Sequence, residues 1–130
     1  MRLDEVVDEL VAAVPAAAQE VMDFRLTWDR ENPPMTILMG TLGEVYVHEA
    51  ERLSEPAKRR FFAIVEQALR EGDDRVQNAV ATGLLEAAVS TVERADADRS
   101  EVIDRYAGPL TRQYLQAWDD FCFRDNGGAG

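Results

Sequence analysis

The sequence predicts an all-α fold of six to seven amphipathic helices in antiparallel pairs, forming a bundle or a short HEAT-like helical stack. Three observations support this prediction. Apolar residues recur at steps of three and four along most of the chain, the period of a helix with one buried face. No segment alternates apolar and polar residues for long enough to indicate a strand. Ser, Asp, Pro and Gly mark helix starts and stops between the periodic segments.

Two helices are predicted before the first strong break in the chain. The first spans about residues 3–14, where the apolar residues share one face and the opposite face is acidic. Pro15 ends this helix or opens the next one, at a position where its missing N–H costs nothing. The second helix spans about residues 16–28. The polar run at residues 29–34, which ends in two prolines, is predicted to be a loop.

Two longer helices are predicted next. One spans about residues 36–52 and contains Gly40 and Gly43, which lower its helix propensity. Glycines in a helix that is otherwise apolar on one face favour a close approach of a second helix. The other helix begins near Ser54 and ends at Gly72.

The helix at about residues 73–89 is predicted to be the central element. It is apolar over most of its circumference, which is typical of a helix buried on several sides. Asp73 is a suitable N-cap. The remaining polar residues form one narrow line, which is either the solvent edge of a buried helix or part of a recognition groove. These residues are Arg75, Asn78, Thr82, Glu86 and Ser90.

A short helix and a long one complete the prediction. The short helix begins near Ser100 and stops at a Gly-Pro pair. The long helix spans about residues 109–124 and has a sharply apolar face. The sequence therefore predicts a single helical domain, residues 1–124, and a flexible glycine-rich tail, residues 125–130.

Charge and composition narrow the function classes. The chain has 25 acidic and 14 basic residues, a formal net charge of −11. This charge disfavours direct binding of nucleic acid or of an anionic membrane, because phosphate groups are bound by basic patches, and it favours a basic protein partner. The single cysteine, Cys122, excludes an internal disulfide and favours a reducing cytoplasm. Neither a signal peptide nor a membrane span is predicted, and both a monomer and a homodimer are compatible with the sequence.

The chain carries no recognisable catalytic motif, so we expect a protein that is not an enzyme and binds no cofactor or metal. It has no Gly-x-Ser-x-Gly turn and no glycine-rich phosphate loop. The alternative hypothesis is a metal-dependent enzyme that uses Glu44, His48 and Glu51 along one helix edge. A di-iron bundle needs a second Glu-x-x-His motif and a zinc-protease helix needs a second histidine, so a solvated polar face is the simpler interpretation.

Three short motifs stand out in the second half of the chain. They are Gly72-Asp73-x-x-Val76-Gln77-Asn78, then Leu84-Leu85-Glu86, then Tyr106-x-Gly108-Pro109-Leu110. Together they resemble a family of small bacterial all-helical proteins catalogued as a domain of unknown function. The resemblance covers nearly the whole chain up to the last helix, and it implies no activity and no catalytic residue. The small, acidic and helical character of the family is similar to that of immunity proteins encoded beside bacterial toxins.

The leading hypothesis is a non-enzymatic, cytoplasmic protein-binding protein, namely an immunity protein that neutralises a cognate bacterial toxin by occlusion. Its negative charge would steer a basic toxin domain toward it. The alternative is a small acidic helical scaffold or regulator, or a mimic of nucleic acid. The predicted contact residues are exposed acids and one tryptophan, a residue favoured at interfaces although core packing competes as an interpretation. They are Glu5, Asp8, Trp28, Asp29, Glu31, Asp73, Asp74 and Glu86.

Overall fold

A computed structural model of the chain describes residues 1–28 and 33–127, with side chains as far as Cys122, and within these residues it contains seven α-helices and no strand. The predicted all-α class is confirmed. The helices are α1 Leu3–Ala13, α2 Ala18–Thr27, α3 Met35–Glu49, α4 Glu55–Glu71, α5 Asp74–Asn78, α6 Glu86–Arg94 and α7 Pro109–Gly127. A 3₁₀ turn, Pro15–Ala17, precedes α2, and two segments are π-helical, Ala79–Leu85 and Ser100–Asp104. None of the described helices combines the length and the apolar character needed to cross a membrane.

Helix ends follow the local sequence signals. The side chain of Ser54 accepts a hydrogen bond from the N–H of Ala57 at 3.2 Å, and that of Asp73 accepts one from Val76 at 3.0 Å. Both predicted N-caps are therefore confirmed. Gly72 ends α4, and a Cβ at this position would overlap the side chain of Val76, so a larger residue does not fit there.

Three helix ends differ from the prediction. Helix α3 stops at Glu49 and the chain then turns, so Glu51 does not share its helical face. Helix α6 continues to Arg94, beyond the predicted end near residue 89. Helix α7 continues to Gly127, so the backbone at residues 125–127, predicted to belong to the tail, is helical, while residues 128–130 lie outside the described residues.

Helix α5, the π-helical segment Ala79–Leu85 and helix α6 form one continuous helical run, which we call the central helix. Val80, Leu84 and Ala88 along it are fully buried, so its predicted position at the centre of the core is confirmed. In a π-helix each backbone N–H bonds one residue further back than in an α-helix. The extra residue rotates the side chains that follow, so the faces of the central helix are not those of a regular α-helix.

The most extensive helix contact joins α3 to the central helix, and glycine makes it close. A Cβ on Gly43 would overlap the carbonyl oxygen of Leu84, and a Cβ on Gly83 would lie 2.7 Å from the carbonyl oxygen of Thr36. The predicted close approach at Gly43 is therefore confirmed. At Gly40 a Cβ would meet only ordinary contacts, the nearest at 3.6 Å, so this glycine is not required by the packing.

Helix α3 and the central helix run in the same direction. Their contacts advance together along both helices, from Thr36 beside Gly83 to Gly43 beside Ala88. Helix α4, which separates them in sequence, packs against α1 and α7. The main contacts therefore join helices that are not consecutive, and the pairing of α3 with the central helix is not antiparallel.

An aromatic cluster fills the core beside α3. The ring of Tyr46 stacks on that of Phe61 with 4.4 Å between centroids, and meets the edge of Phe62 at 5.1 Å. The Tyr46 hydroxyl donates a hydrogen bond to the carbonyl oxygen of Val102 at 2.5 Å. Burial raises the pKa of Tyr46 well above the usual value of a phenol, so the group remains a donor over the physiological pH range.

Helix α7 is held at its N-terminus by Glu66 of α4. The carboxylate accepts hydrogen bonds from the N–H of Leu110 at 2.7 Å, and from the N–H and hydroxyl of Thr111 at 3.1 and 2.9 Å. The first N–H groups of a helix have no partner within it, so another helix supplies their acceptor here. A Cβ on Gly108 would lie 2.5 Å from a Glu66 carboxylate oxygen, which explains the glycine before α7.

A second anchor ties α7 to the π-helical turn Ser100–Asp104. The Arg99 guanidinium donates two hydrogen bonds to the Asp119 carboxylate, at 2.8 and 2.9 Å, and its Nε donates to Asp104 at 3.1 Å. Hydrogen bonding to Arg99 is the main reason why the pKa of Asp119 lies below its ordinary value.

Candidate functional site

An open groove runs between the central helix and α7, and we call it the α7 groove. Its volume is about 310 Å³ and its surface is almost entirely apolar. The residues that line it are Ala81, Thr82, Leu85, Glu86, Val89, Tyr114, Leu115, Ala117, Trp118 and Phe121. Grooves of this size with mostly apolar walls and few polar groups are typical binding sites.

The floor of the α7 groove is aliphatic and its rim is aromatic. Leu85 and Leu115 on the floor are buried. Tyr114 and Phe121 on the rim are 41% and 65% exposed, and the half-buried Trp118 lies between them in sequence, with its ring 6.4 Å from that of Phe121. Exposed aromatic side chains around an apolar floor are characteristic of interaction surfaces.

The π-helical segment Ala79–Leu85 builds one wall of the α7 groove. Three of its residues line the groove, and Gly83 within the same segment packs against α3. The hydroxyl of Thr82 donates to the carbonyl oxygen of Asn78 at 2.6 Å, so this polar group is satisfied within the helix. π-helical segments are rare and frequently occur at functional sites.

Glu86 is the one charged side chain among the described residues that line the α7 groove. It is the first residue of α6 and is half-buried, and the side chains that the structure describes offer it no ion pair. The polar line predicted on the central helix was either a solvent edge or part of a groove. The structure places Thr82 and Glu86 in a groove, whereas Asn78 is exposed outside it.

A second depression, which we call the α2 cleft, lies beside α2 and has a volume of about 490 Å³. Its lining is Asp4, Met22, Phe24, Arg25, Leu26, Trp28, Pro33, Met35 and Leu38. Leu26 is 84% exposed and Met22 is 56% exposed. The cleft contains both an acid, Asp4, and a base, Arg25, and residues 29–32 lie outside the described part of the chain.

Three of the predicted contact residues lie near the α2 cleft. Trp28 lines the cleft and is 45% exposed, which favours the interpretation as an exposed anchor over core packing. Asp73 lines an adjoining depression, although its carboxylate is engaged as the N-cap of α5. Asp74 follows it and is exposed. The α7 groove, which contains Glu86, shares no lining residue with these two depressions.

Two more of the predicted contact residues, Glu5 and Asp8, lie outside the α7 groove. Glu5 and Asp8 are exposed on α1, and Asp8 lies 3.5 Å from Arg25 in an exposed ion pair. Asp29 and Glu31 lie outside the described residues. The structure therefore divides those predicted contact residues that it describes between two regions instead of assembling them into one surface.

No group of three His, Cys, Asp or Glu side chains among the described residues is arranged to hold a metal ion. Glu44 and His48 are exposed on α3, while Glu51 lies in the turn after the helix. The end of α3 at Glu49 is the reason why the three groups do not follow the helical register that the metal hypothesis requires.

The aromatic rim of the α7 groove was not predicted from the sequence as a site. Tyr114, Trp118 and Phe121 follow one another at steps of four and three, so they share one face of α7. The same spacing is also found on a helix face that is packed in the core, so the spacing alone does not distinguish a groove from a buried face. The available signal was the abundance of aromatic residues on a helix close to the end of the chain.

No curated protein and no solved structure matches the sequence. A family model matches residues 7–122, which include both walls of the α7 groove. The chain therefore belongs to the family described as "Domain of unknown function (DUF7674)".

Proposed function

We propose that the chain is a non-enzymatic protein-binding protein whose α7 groove receives a segment of a cationic partner. The observation that carries the proposal is the open row of Tyr114, Trp118 and Phe121 above an aliphatic floor. A partner that covers such a surface releases water from it. This contributes about 25 cal/mol to the binding free energy for each Å² of apolar area buried. Aromatic side chains in apolar pockets commonly supply most of the binding energy of an interface.

The charge of the chain supports a cationic partner. The net charge of −11 raises the rate at which a positively charged protein encounters this one, and repels a negatively charged one. Glu86 places negative charge within the groove itself. A basic side chain of the partner would contact it there with little competing water.

In its more specific form, the proposal is that the partner is a basic bacterial toxin domain and that binding occludes the surface through which the toxin acts. The acidic charge and the small helical domain support this role. Such a protein needs no catalytic group, because inhibition follows from occupancy alone.

The test is a comparative capture from the lysate of the native organism. The bait is the wild-type chain, the double variant Tyr114→Ala/Phe121→Ala, or the matched control Met22→Ala/Leu26→Ala, which removes exposed apolar side chains from the α2 cleft. We expect one stoichiometric protein with wild type and control and its loss with the groove variant. Equal recovery by all three baits, or loss with the α2 variant alone, would contradict the assignment to the α7 groove.

The immunity role has a separate readout. If the captured partner is a toxin, its expression alone stops growth, and co-expression of the wild-type chain or of the α2 control restores growth while the groove variant does not. A partner whose expression leaves growth unchanged would contradict the immunity role but not protein binding. Circular dichroism of each variant establishes that its helices are intact.

A further inference from the structure

We propose that the α7 groove binds an amphipathic α-helix of the partner, with apolar side chains on the aromatic rim and a Lys or Arg opposite Glu86. This inference rests on the proposed function and specifies the shape and charge of the bound segment. It is carried by the dimensions of the groove, by the hydrogen-bonding groups on its walls and by the position of Glu86, the one carboxylate among the described residues that line it.

The dimensions of the groove fit a short helix. On the central helix the lining extends from Ala81 to Val89, and on α7 it extends from Tyr114 to Phe121. At a rise of 1.5 Å per residue these walls are about 10–12 Å long, or about two helical turns. Two turns of an amphipathic helix present two or three apolar side chains on one face, a number similar to that of the aromatic side chains on the rim.

The walls of the groove favour a helix over an extended segment. An extended segment carries an N–H and a C=O at each residue, and each needs a partner when water is removed. The floor is aliphatic, and the Thr82 hydroxyl already donates within its own helix. No strand edge exists among the described residues to pair with an added strand. A helix satisfies its own backbone, so it can cover apolar walls without that cost.

The position of Glu86 favours a basic residue on the bound helix. Covering the half-buried carboxylate removes water from a charged group, which is costly unless the partner supplies a cation. A second copy of this chain is a poor occupant, because each copy carries a net charge of −11. A basic amphipathic helix provides both the apolar contacts and the compensating charge.

The probe for this inference is a synthetic 16-residue helical peptide with Leu at helical steps of three and four and Arg on the flanks of the leucine face. One control peptide has Glu in place of every Arg. A second control keeps every Leu and Arg of the basic peptide but has two central prolines in place of alanines, which prevent the helix. None of the peptides contains tryptophan. The chain has two tryptophans, so the variant Trp28→Phe leaves Trp118 in the groove as the fluorescent reporter.

We expect the basic helical peptide to shift the emission of Trp118 on binding, and both control peptides to bind at least about 10-fold more weakly. Glu86→Gln, made in the Trp28→Phe background, is expected to weaken binding of the basic peptide about 10-fold, since it removes the Glu86 charge from the groove. The matched control is Glu93→Gln, an exposed glutamate on the same helix that does not line the groove, with an expected change of less than about twofold.

Each outcome decides one part of the inference. Equal binding of the proline peptide would overturn the helical shape, and equal binding of the acidic peptide, or no effect of Glu86→Gln, would overturn the basic residue. Absence of binding by the basic peptide would overturn the inference as a whole. The proposed function is judged independently, by whether the groove variant loses the captured partner.

Discussion

The two sides of the central helix are built in opposite ways. Toward α3, Gly83 and Gly43 have no side chains, and the two backbones come so close that an added Cβ would overlap a carbonyl oxygen. Toward α7, Tyr114 and Phe121 remain exposed above an open groove. At Gly43 and Gly83 the first side admits no additional carbon atom, whereas the second has room for another molecule. One face of the central helix therefore packs in the core, and the other lines the groove where we propose that a partner binds.

The variant Gly43→Ala is expected to have the largest effect on stability, because its methyl group would overlap the backbone of Leu84. We expect a loss of about 3 kcal/mol in the free energy of unfolding, measured by urea denaturation. Gly40→Ala, one helical turn earlier, is the matched control. Its Cβ would have ordinary contacts, so we expect about 0.5–1 kcal/mol of added stability from the better helix propensity. Equal effects of the two variants would contradict the close packing described here.

The variant Glu66→Ala is expected to loosen the wall that α7 contributes to the groove. It removes the acceptor of three hydrogen bonds at the N-terminus of α7, which are worth about 2 kcal/mol in the free energy of unfolding. Hydrogen exchange should increase in the first turn of α7 and remain unchanged in α3. Glu71→Ala, which removes an exposed glutamate from the end of α4, should change stability by less than about 0.5 kcal/mol. A loss of similar size in both variants would argue against the anchoring role.

The variant Asp119→Asn tests the Arg99 anchor through its pH dependence. The pKa of Asp119 is lowered in the folded protein, so its ion pair contributes fully above the unfolded value of about 3.9 and is lost as the pH falls through the lower folded value. The side chain is 43% exposed, so we expect a loss of about 1 kcal/mol or less at pH 7.

The difference in the free energy of unfolding between Asp119→Asn and wild type should become smaller as the pH falls below 4, because the wild-type carboxylate then becomes protonated. Urea denaturation at several pH values measures it. The control Asp120→Asn alters a neighbouring carboxylate that accepts a hydrogen bond from Gln116 and lies apart from the Arg99 anchor. A difference that persists unchanged at low pH would contradict an origin in the charge of Asp119.

The variant Phe121→Ala should have the smallest effect on stability and a large effect on binding. Its side chain is 65% exposed, so its removal should change the free energy of unfolding by less than about 0.5 kcal/mol. The basic peptide should nevertheless bind about 10-fold more weakly, as expected for an aromatic anchor. A loss of 2 kcal/mol or more in stability would place Phe121 in the core and remove the contrast between the two sides of the central helix.

Periodicity was sufficient to predict helices such as α1 and α4, because each of these buries a face whose apolar residues recur at steps of three and four. The capping residues Ser54 and Asp73 and the close approach at Gly43 also followed from local rules. The π-helical segment Ala79–Leu85 could not be predicted from local rules, since an extra residue in a helical turn leaves no characteristic residue type in the sequence.

The candidate site was harder to predict because it depends on which helix covers which face. Tyr114 and Phe121 belong to an apolar stripe that indicates burial, yet no described helix covers the end of that stripe. The anchors Glu66 and Arg99 contact α7 across 44 and 20 residues of sequence, distances over which spacing rules do not apply. Glu86 was predicted as a contact residue on a polar line that was either a solvent edge or part of a recognition groove, and the sequence alone did not decide between the two.

The most direct test of the account is an amide NMR titration of the wild-type chain with the basic helical peptide. The division of the central helix into a packed face and a binding face predicts that the largest shift changes fall on residues 81–89 and 114–121, with little change at Gly40, Gly43 and along α2. Shift changes concentrated around the α2 cleft, or spread evenly over α3, would contradict it.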